Sequence, residues 1–191
     1  MIDINTLASA WTGHRQFANW LVQSLKPEII VDLGIDYGYS MFSLAESNIG
    51  QVYGIDNFKG DIHTGIHNDA YDTVIKVINE NQYTNINVVM GDFNDVAAIW
   101  DKPIDILHID GLHTYEAVTN DIRNWSKFLR NENSVIIMHD TESFPEVKQC
   151  FDELQIHKFN FTHSAGLGVL SLNKNIIDNV QLFAQQLYST N

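Results

Sequence analysis

Five short runs of residues constrain the fold more tightly than anything else in the chain. EIIVDLG (28–34), QVYGID (51–56), INVVMGD (86–92), IDILHID (104–110) and SVIIMHD (134–140) are apolar and rich in β-branched residues, and each closes on an acid or a glycine. Runs of this length with little polar alternation read as strands buried on both faces. Between them the periodicity becomes helical, over Tyr39 to Ser47, over Asp69 to Asn81 with Tyr71, Val74, Ile75 and Ile78 on one face, and over Tyr115 to Arg130 with Val118, Ile122, Trp125 and Leu129 on another. RQFANWLVQSL, within the first 26 residues, predicts a leading helix stopped by Pro27. After residue 144, FPEVKQCFDEL predicts a helix and IHKFNFTHS with GLGVLSL a strand pair turned at Ala165 and Gly166, antiparallel because the connection is too short for a crossover helix. NIIDNVQLFAQQLY then predicts a closing helix. The expected fold is α/β, a Rossmann-like doubly wound, mostly parallel sheet with helices on both faces and a C-terminal antiparallel strand pair. Ligands of such sheets bind beyond the carboxyl ends of the strands.

Composition narrows the partners. The net charge of −13 leaves no clustered basic face, and the three arginines, Arg15, Arg123 and Arg130, are scattered. Nucleic acid and anionic membranes are therefore excluded as expected partners, and a small molecule, neutral or cationic, is favoured. The N-terminus has no basic start leading into an apolar stretch, and no run reaches the ~18 apolar residues of a membrane span, so the expected location is cytoplasmic. Cys150, in VKQCFDEL, has no cysteine to pair with and reads as a helix-face thiol. With no linker or repeat, the 191 residues are read as a single domain, 1–191, and a homo-oligomer stays open.

The first strand and turn, VDLGIDYGYS, bear on the cofactor. A dinucleotide-binding turn, G-x-G-x-x-G, needs its second glycine so that the backbone can approach a pyrophosphate. Counted from Gly34, that position is Asp36 and the third is Tyr39. A carboxylate there conflicts with a pyrophosphate but suits a ligand carrying an ammonium and a sulfonium. Gly34 and Gly38 still permit a tight turn, and a purely structural βα turn is the plainer alternative.

VDLGIDYGYSMFSLAE resembles motif I of the class I S-adenosylmethionine (SAM) methyltransferases. The resemblance spans roughly residues 28 to 140 and implies a cofactor site comprising Asp32, Gly34, Gly38, Asp56, at the position of the family's ribose-binding acid, and Asp92, at the position near the adenine. GIDNFKGDIHTG, HIDGLHTYEAVTNDIRNW and IIMHDT are more specifically similar to the metal-assisted sugar O-methyltransferases of the macrocin type, grouped with cephalosporin-hydroxylase-like proteins. That resemblance implies O-methylation of a sugar or other small-molecule hydroxyl, with a divalent metal, Mg2+ first, held by Asp110, Asp140 and possible third ligand His139, and with His113 as base. Some relatives carry Glu-Asp where this chain has His139-Asp140; either a nitrogen donor there shifts preference toward transition ions or His139 does not ligate, which leaves the metal's identity open.

The chemistry suits the residues. An aliphatic hydroxyl is a poor nucleophile at neutral pH, so its methylation gains from a base in reach and a cation that lowers its pKa. Two acids aimed at one point need a cation between them. The metal and the helix N-terminus are expected to keep His113 neutral near pH 7, against the pull of Asp110, if the metal neutralises that carboxylate. Plainer roles exist for each residue: Asp110 and Asp140 as helix N-caps, His113 as a surface helix residue, Asp56 as the start of a turn. His108 is read as a hydrogen-bonded core histidine. The polar stretch 57–69 is expected to be an active-site lid, with His63 lining the pocket and His67 an ordinary loop residue. Two other classes share the pattern, a non-catalytic SAM-binding protein, which would not need Asp110, His113 and Asp140 together, and an NAD-dependent Rossmann oxidoreductase, which Asp36 opposes.

Overall fold

The computed structural model describes residues 1–63 and 65–188. Its strands are β1 (Ile29–Leu33), β2 (Gln51–Asp56), β3 (Ile86–Met90), β4 (Ile106–Ile109), β5 (Val135–His139), β6 (His157–Phe161) and β7 (Leu167–Ser171), joined in one sheet in the order β3-β2-β1-β4-β5-β7-β6. The first five are mutually parallel, and β7 runs antiparallel to both β5 and β6. The helices are α1 (Arg15–Leu25), α2 (Tyr39–Ala45), α3 (Ala70–Asn81), α4 (Phe93–Ile99), α5 (Tyr115–Trp125), α6 (Pro145–Glu153) and α7 (Lys174–Tyr188). Strand order reverses between β1 and β4, which opens a crevice at their carboxyl ends.

The apolar runs have the cause inferred from sequence. Alternate residues of each strand enter opposite cores. Ile30, Ile106, Val135 and Ile137 pack with α1, α2, α3 and α7, whereas Val31, Leu107, Ile136 and Met138 pack with α4, α5 and α6. Each such side chain contributes roughly 1.5–3 kcal/mol on burial, so a polar substitution on either face of β4 or β5 would cost a large share of a domain's net stability.

Two expectations change, and one helix has no counterpart among them. The buried face of α3 is Ala70, Val74 and Val77, with Ile78 partly buried beside it and Tyr71 outward. The helix after β4 ends at Trp125 and tightens into a 3-10 turn over Ser126–Phe128, which turns Leu129 toward Ile104. Helix α4, seven residues long, buries only Val96 and Ala97, too short a stripe to show as a period. Within the stretch read as a lid, Thr64 lies outside the described residues.

Candidate active site

The crevice is a cavity of about 1050 Å³, lined from the turn after β1 (Gly34 to Tyr37), the ends of β2 (Asp56), β4 (Asp110) and β5 (His139), and the N-terminal residues Ala8 to Trp11. Small-molecule pockets run to about 1,000 Å³, so this one has room for a cofactor and an acceptor together.

Gly34 has φ +86°, and a Cβ on it would collide with the carbonyl oxygen of Asp110. The turn therefore lies directly against the end of β4, and only glycine allows the approach. Asp56 fastens the same turn: its Oδ2 accepts from the amides of Ile35 (2.9 Å) and Asp36 (3.0 Å), and its Oδ1 from the amide of Phe58 (2.7 Å). A carboxylate has about four acceptor positions, so one remains for a ligand hydroxyl. Asp36 lines the cavity and pairs through Oδ1 with Nδ1 of His67 at 2.7 Å, while the Tyr37 hydroxyl donates to Asp69 at 2.8 Å. These contacts dock the 57–69 stretch on the glycine turn. His67 is not the ordinary loop residue expected. His67 lines the cavity, and His63 leans on His113 and Phe144 with ring centroids 5.5 and 5.1 Å away.

Asp32 and Gly38 stand behind the cavity wall. Asp32 is fully buried, facing His108 Nδ1 at 2.5 Å and accepting from the Ser40 hydroxyl at 2.7 Å. Trp11 Nε1 donates to His108 Nε2 at 3.1 Å, so the proton of a neutral His108 sits on Nδ1 and points at Asp32. His108 is thus a satisfied core histidine, and Asp32 supports the turn through its partners. Gly38, at φ +88°, begins α2 where a Cβ would press on the Phe42 ring. Asp92 lines the cavity and caps α4 through the amide of Asn94 at 3.0 Å.

At the ends of β4 and β5 four groups converge. His113 Nε2 lies 2.7 Å from Asp140 and 3.6 Å from Asp110, and His139 Nδ1 lies 3.2 Å from Asp140 and 3.4 Å from Asp110. Neither acid caps a helix: Thr114 caps α5 through the amide of Ala117, and α6 starts at Phe144 with no side-chain cap. His113 is buried, with its ring stacked flat on Phe144 at 4.1 Å. Asp140 has φ 63°, a left-handed conformation that aspartate tolerates better than most residues and that costs of order 1 kcal/mol.

The Ser164 carbonyl, in the β6–β7 turn, lies 3.1 Å from Nε2 of both His139 and His14. A carbonyl only accepts, so His139 carries a proton on Nε2, and in its neutral form presents a lone pair from Nδ1 to two carboxylates. That Nδ1 is buried and meets neither carboxylate in hydrogen-bond geometry, and the same holds for both ring nitrogens of His113. Asp110, His139 and Asp140 each offer a ligand atom, all within 4.8 Å of one another. Two carboxylate oxygens and an orphaned imidazole lone pair are a donor set that fits a divalent cation.

Without a cation the histidines take that role. Burial disfavours their charge, but the hydrogen-bonding reach and charge of the two carboxylates outweigh it, raising His113 to about 9 and His139 to about 10. Burial likewise pushes against ionised Asp110 and Asp140, yet the histidines hold both below the usual carboxylate range. The expectation of a neutral His113 at pH 7 is tied to a metal that neutralises the carboxylate; with the acids facing it alone, they favour the protonated ring. His14 goes the other way, lowered to about 3 by burial and by neighbouring imidazoles.

Sequence periodicity gives no notice of the N-terminal wall, and Asp121, a buried acid on α5 that lines the cavity, is not among the residues singled out from sequence. The signal for Asp121 was available, since an acid three residues after Val118 and four before Trp125 falls inside the apolar stripe.

A family model described as a methyltransferase domain matches residues 31–141, and the chain belongs to that family. A curated relative, the uncharacterized protein y4gI of Sinorhizobium fredii, is 31% identical over 193 residues, covering 95% of this chain and 21% of the relative, so the chain spans about a fifth of that protein's length. The fold is shared with the O-methyltransferase from Bacillus cereus in complex with SAH (TM-score 0.63, 15% identity, 83% of this chain and 80% of that one). It is shared equally with the O-methyltransferase TomG from Streptomyces achromogenes, involved in tomaymycin synthesis and solved with SAM (TM-score 0.63, 13% identity, 86% and 88%).

Proposed function

We propose that the protein transfers a methyl group from SAM to a hydroxyl oxygen of a small molecule, with a divalent ion held by Asp110, His139 and Asp140 and with His113 taking the proton. The observation that carries this reading is the convergence of two carboxylates and an orphaned imidazole lone pair in the same cavity that the glycine turn and Asp56 line. SAM supplies a sulfonium methyl group, and its carbon–sulfur bond breaks as the new carbon–oxygen bond forms, leaving S-adenosyl-L-homocysteine (SAH). A divalent ion supplies the Lewis acidity that makes a hydroxyl easier to deprotonate. Asp36 offers a negative charge to a cationic cofactor where a pyrophosphate would be repelled, which favours SAM over NAD. Asp56 has one acceptor position left for a ribose hydroxyl. Phe144 fixes the plane of the His113 ring, and once the carboxylates are engaged elsewhere, burial favours the neutral imidazole that accepts the hydroxyl proton.

The likeness of HIDGLHTYEAV and IIMHDT to the macrocin-type enzymes supports a sugar or glycosylated metabolite as acceptor. The net charge of −13 supports a partner other than nucleic acid or anionic membrane, and among the described residues no helix is long and apolar enough to cross a membrane. A cytoplasmic location is part of the same reading.

The test is methyl-labelled SAM with a panel of sugar and aromatic hydroxyl acceptors, with and without exhaustive chelation. We expect label on product oxygen, a fall in turnover of at least about 10² on chelation, and SAH affinity unchanged within about threefold. Turnover that survives chelation would remove the ion from the mechanism.

A further inference from the structure

Building on the SAM reading, we infer that Asp121 determines the cofactor's base, its carboxyl group accepting a hydrogen bond from the exocyclic amine of adenine. The reactive sulfonium has to lie near Asp110 and Asp140, and the ribose-binding acid Asp56 closes β2. The base of an extended adenosyl ligand therefore lies beyond it, toward the end of β3 and the start of α4. At that end of the cavity Asp92, Phe93 and Asn94 of the β3–α4 junction face Gly111 and the second turn of α5, which carries Asp121.

Asp121 is the anomaly there. It is 94% buried by its 6% exposure and faces the cavity, and no hydrogen bond to its carboxyl group is found among the described residues. A buried carboxyl group without a partner is costly unless a ligand supplies one. A Cβ on Gly111 would collide with the Phe93 ring at 2.6 Å and touch Asp121 Oδ2 at 3.4 Å, so the glycine lets an aromatic ring and the carboxyl group approach the same stretch of the cavity wall. An aromatic base that packs by Phe93 and bears a donor on its edge fits that pairing. Asn94 ties α4 to α5 beside them, its Oδ1 accepting from Asn120 at 2.8 Å and from Asn124 at 2.7 Å. Burial first, and then the charge of Asp92, favour the protonated carboxyl group. In that form it can also donate to a ring nitrogen next to the amine; the discrimination between bases belongs to the ionised form, which only accepts and so suits the amine of adenine and repels the carbonyl oxygen that hypoxanthine carries in its place.

The experiment is calorimetric titration of the full chain with SAH and with S-inosyl-L-homocysteine. Wild type should prefer SAH by at least about tenfold, the discrimination typical of a buried hydrogen-bonding group. Asp121→Ala should lose at least about tenfold in SAH affinity and most of the preference. Asp121→Asn, which keeps an acceptor and a donor, should retain SAH binding within about threefold and so show that the fold survives substitution. If Asp121→Ala keeps the wild-type preference between the two bases, Asp121 is structural and the inference falls while the SAM reading stands. If the wild-type protein binds neither ligand, the SAM reading itself fails and takes the inference with it.

Discussion

Asp121 shows how a single buried group ties stability to pH. Burial and the neighbouring charge of Asp92 push its pKa up to about 7, against 3.8 for an unperturbed aspartate. Between those values the folded chain holds a proton that the unfolded chain has released, so stability falls as pH rises, and the whole penalty is present above about pH 7. Asp121→Asn removes the titration. Thermal unfolding in the absence of ligand should find the variant and wild type alike near pH 4 and the variant more stable at pH 8, by about 1–3 kcal/mol. Parallel Tm curves over that range would mean that Asp121 is ionised in the folded state without cost. The strand-end acids were legible in the sequence because each strand is an apolar run whose last residue breaks the pattern. Asp121 was harder to see. Its burial depends on the contact of α5 with α4, and the short α4 has no periodicity that announces it.

The elements divide the work in a way the local sequence expresses only in part. The β1 turn, β4 and β5 carry the groups of the proposed site, and their order along the chain follows from strand spacing. The N-terminal residues Ala8 to Trp11 reach the cavity only because Trp11 inserts over the sheet to meet His108, a contact 97 residues apart in sequence. The β6–β7 turn is similar: Ser164 and Ala165, both at positive φ, direct one carbonyl at His139 and His14, which no local signal foretells. Trp11→Phe tests the N-terminal contribution. It keeps much of the aromatic packing but leaves His108 Nε2 without its donor, at a cost of about 1–3 kcal/mol for a buried unsatisfied group. Urea unfolding should register that loss with an unchanged m-value. An unfolding midpoint equal to wild type would mean that the Trp11–His108–Asp32 chain does not help hold the wall in place.

Taken as one object, the molecule sets the proposed methyl donor's site beside the proposed cation's donor set in a single crevice, and the crevice exists because strand order reverses between β1 and β4. The sheet order explains why residues as far apart as Gly34, Asp110 and Asp140 meet: β1, β4 and β5 are adjacent, so their carboxyl ends are neighbours. Crystals of the full chain grown with SAH and Mn2+ and measured for anomalous scattering would examine the whole arrangement at once. We expect SAH along the floor from Gly34 past Asp56, and one anomalous peak held by Asp110, Asp140 and Nδ1 of His139. SAH bound with no peak at that triad, or a peak bound elsewhere, would contradict metal-assisted methyl transfer.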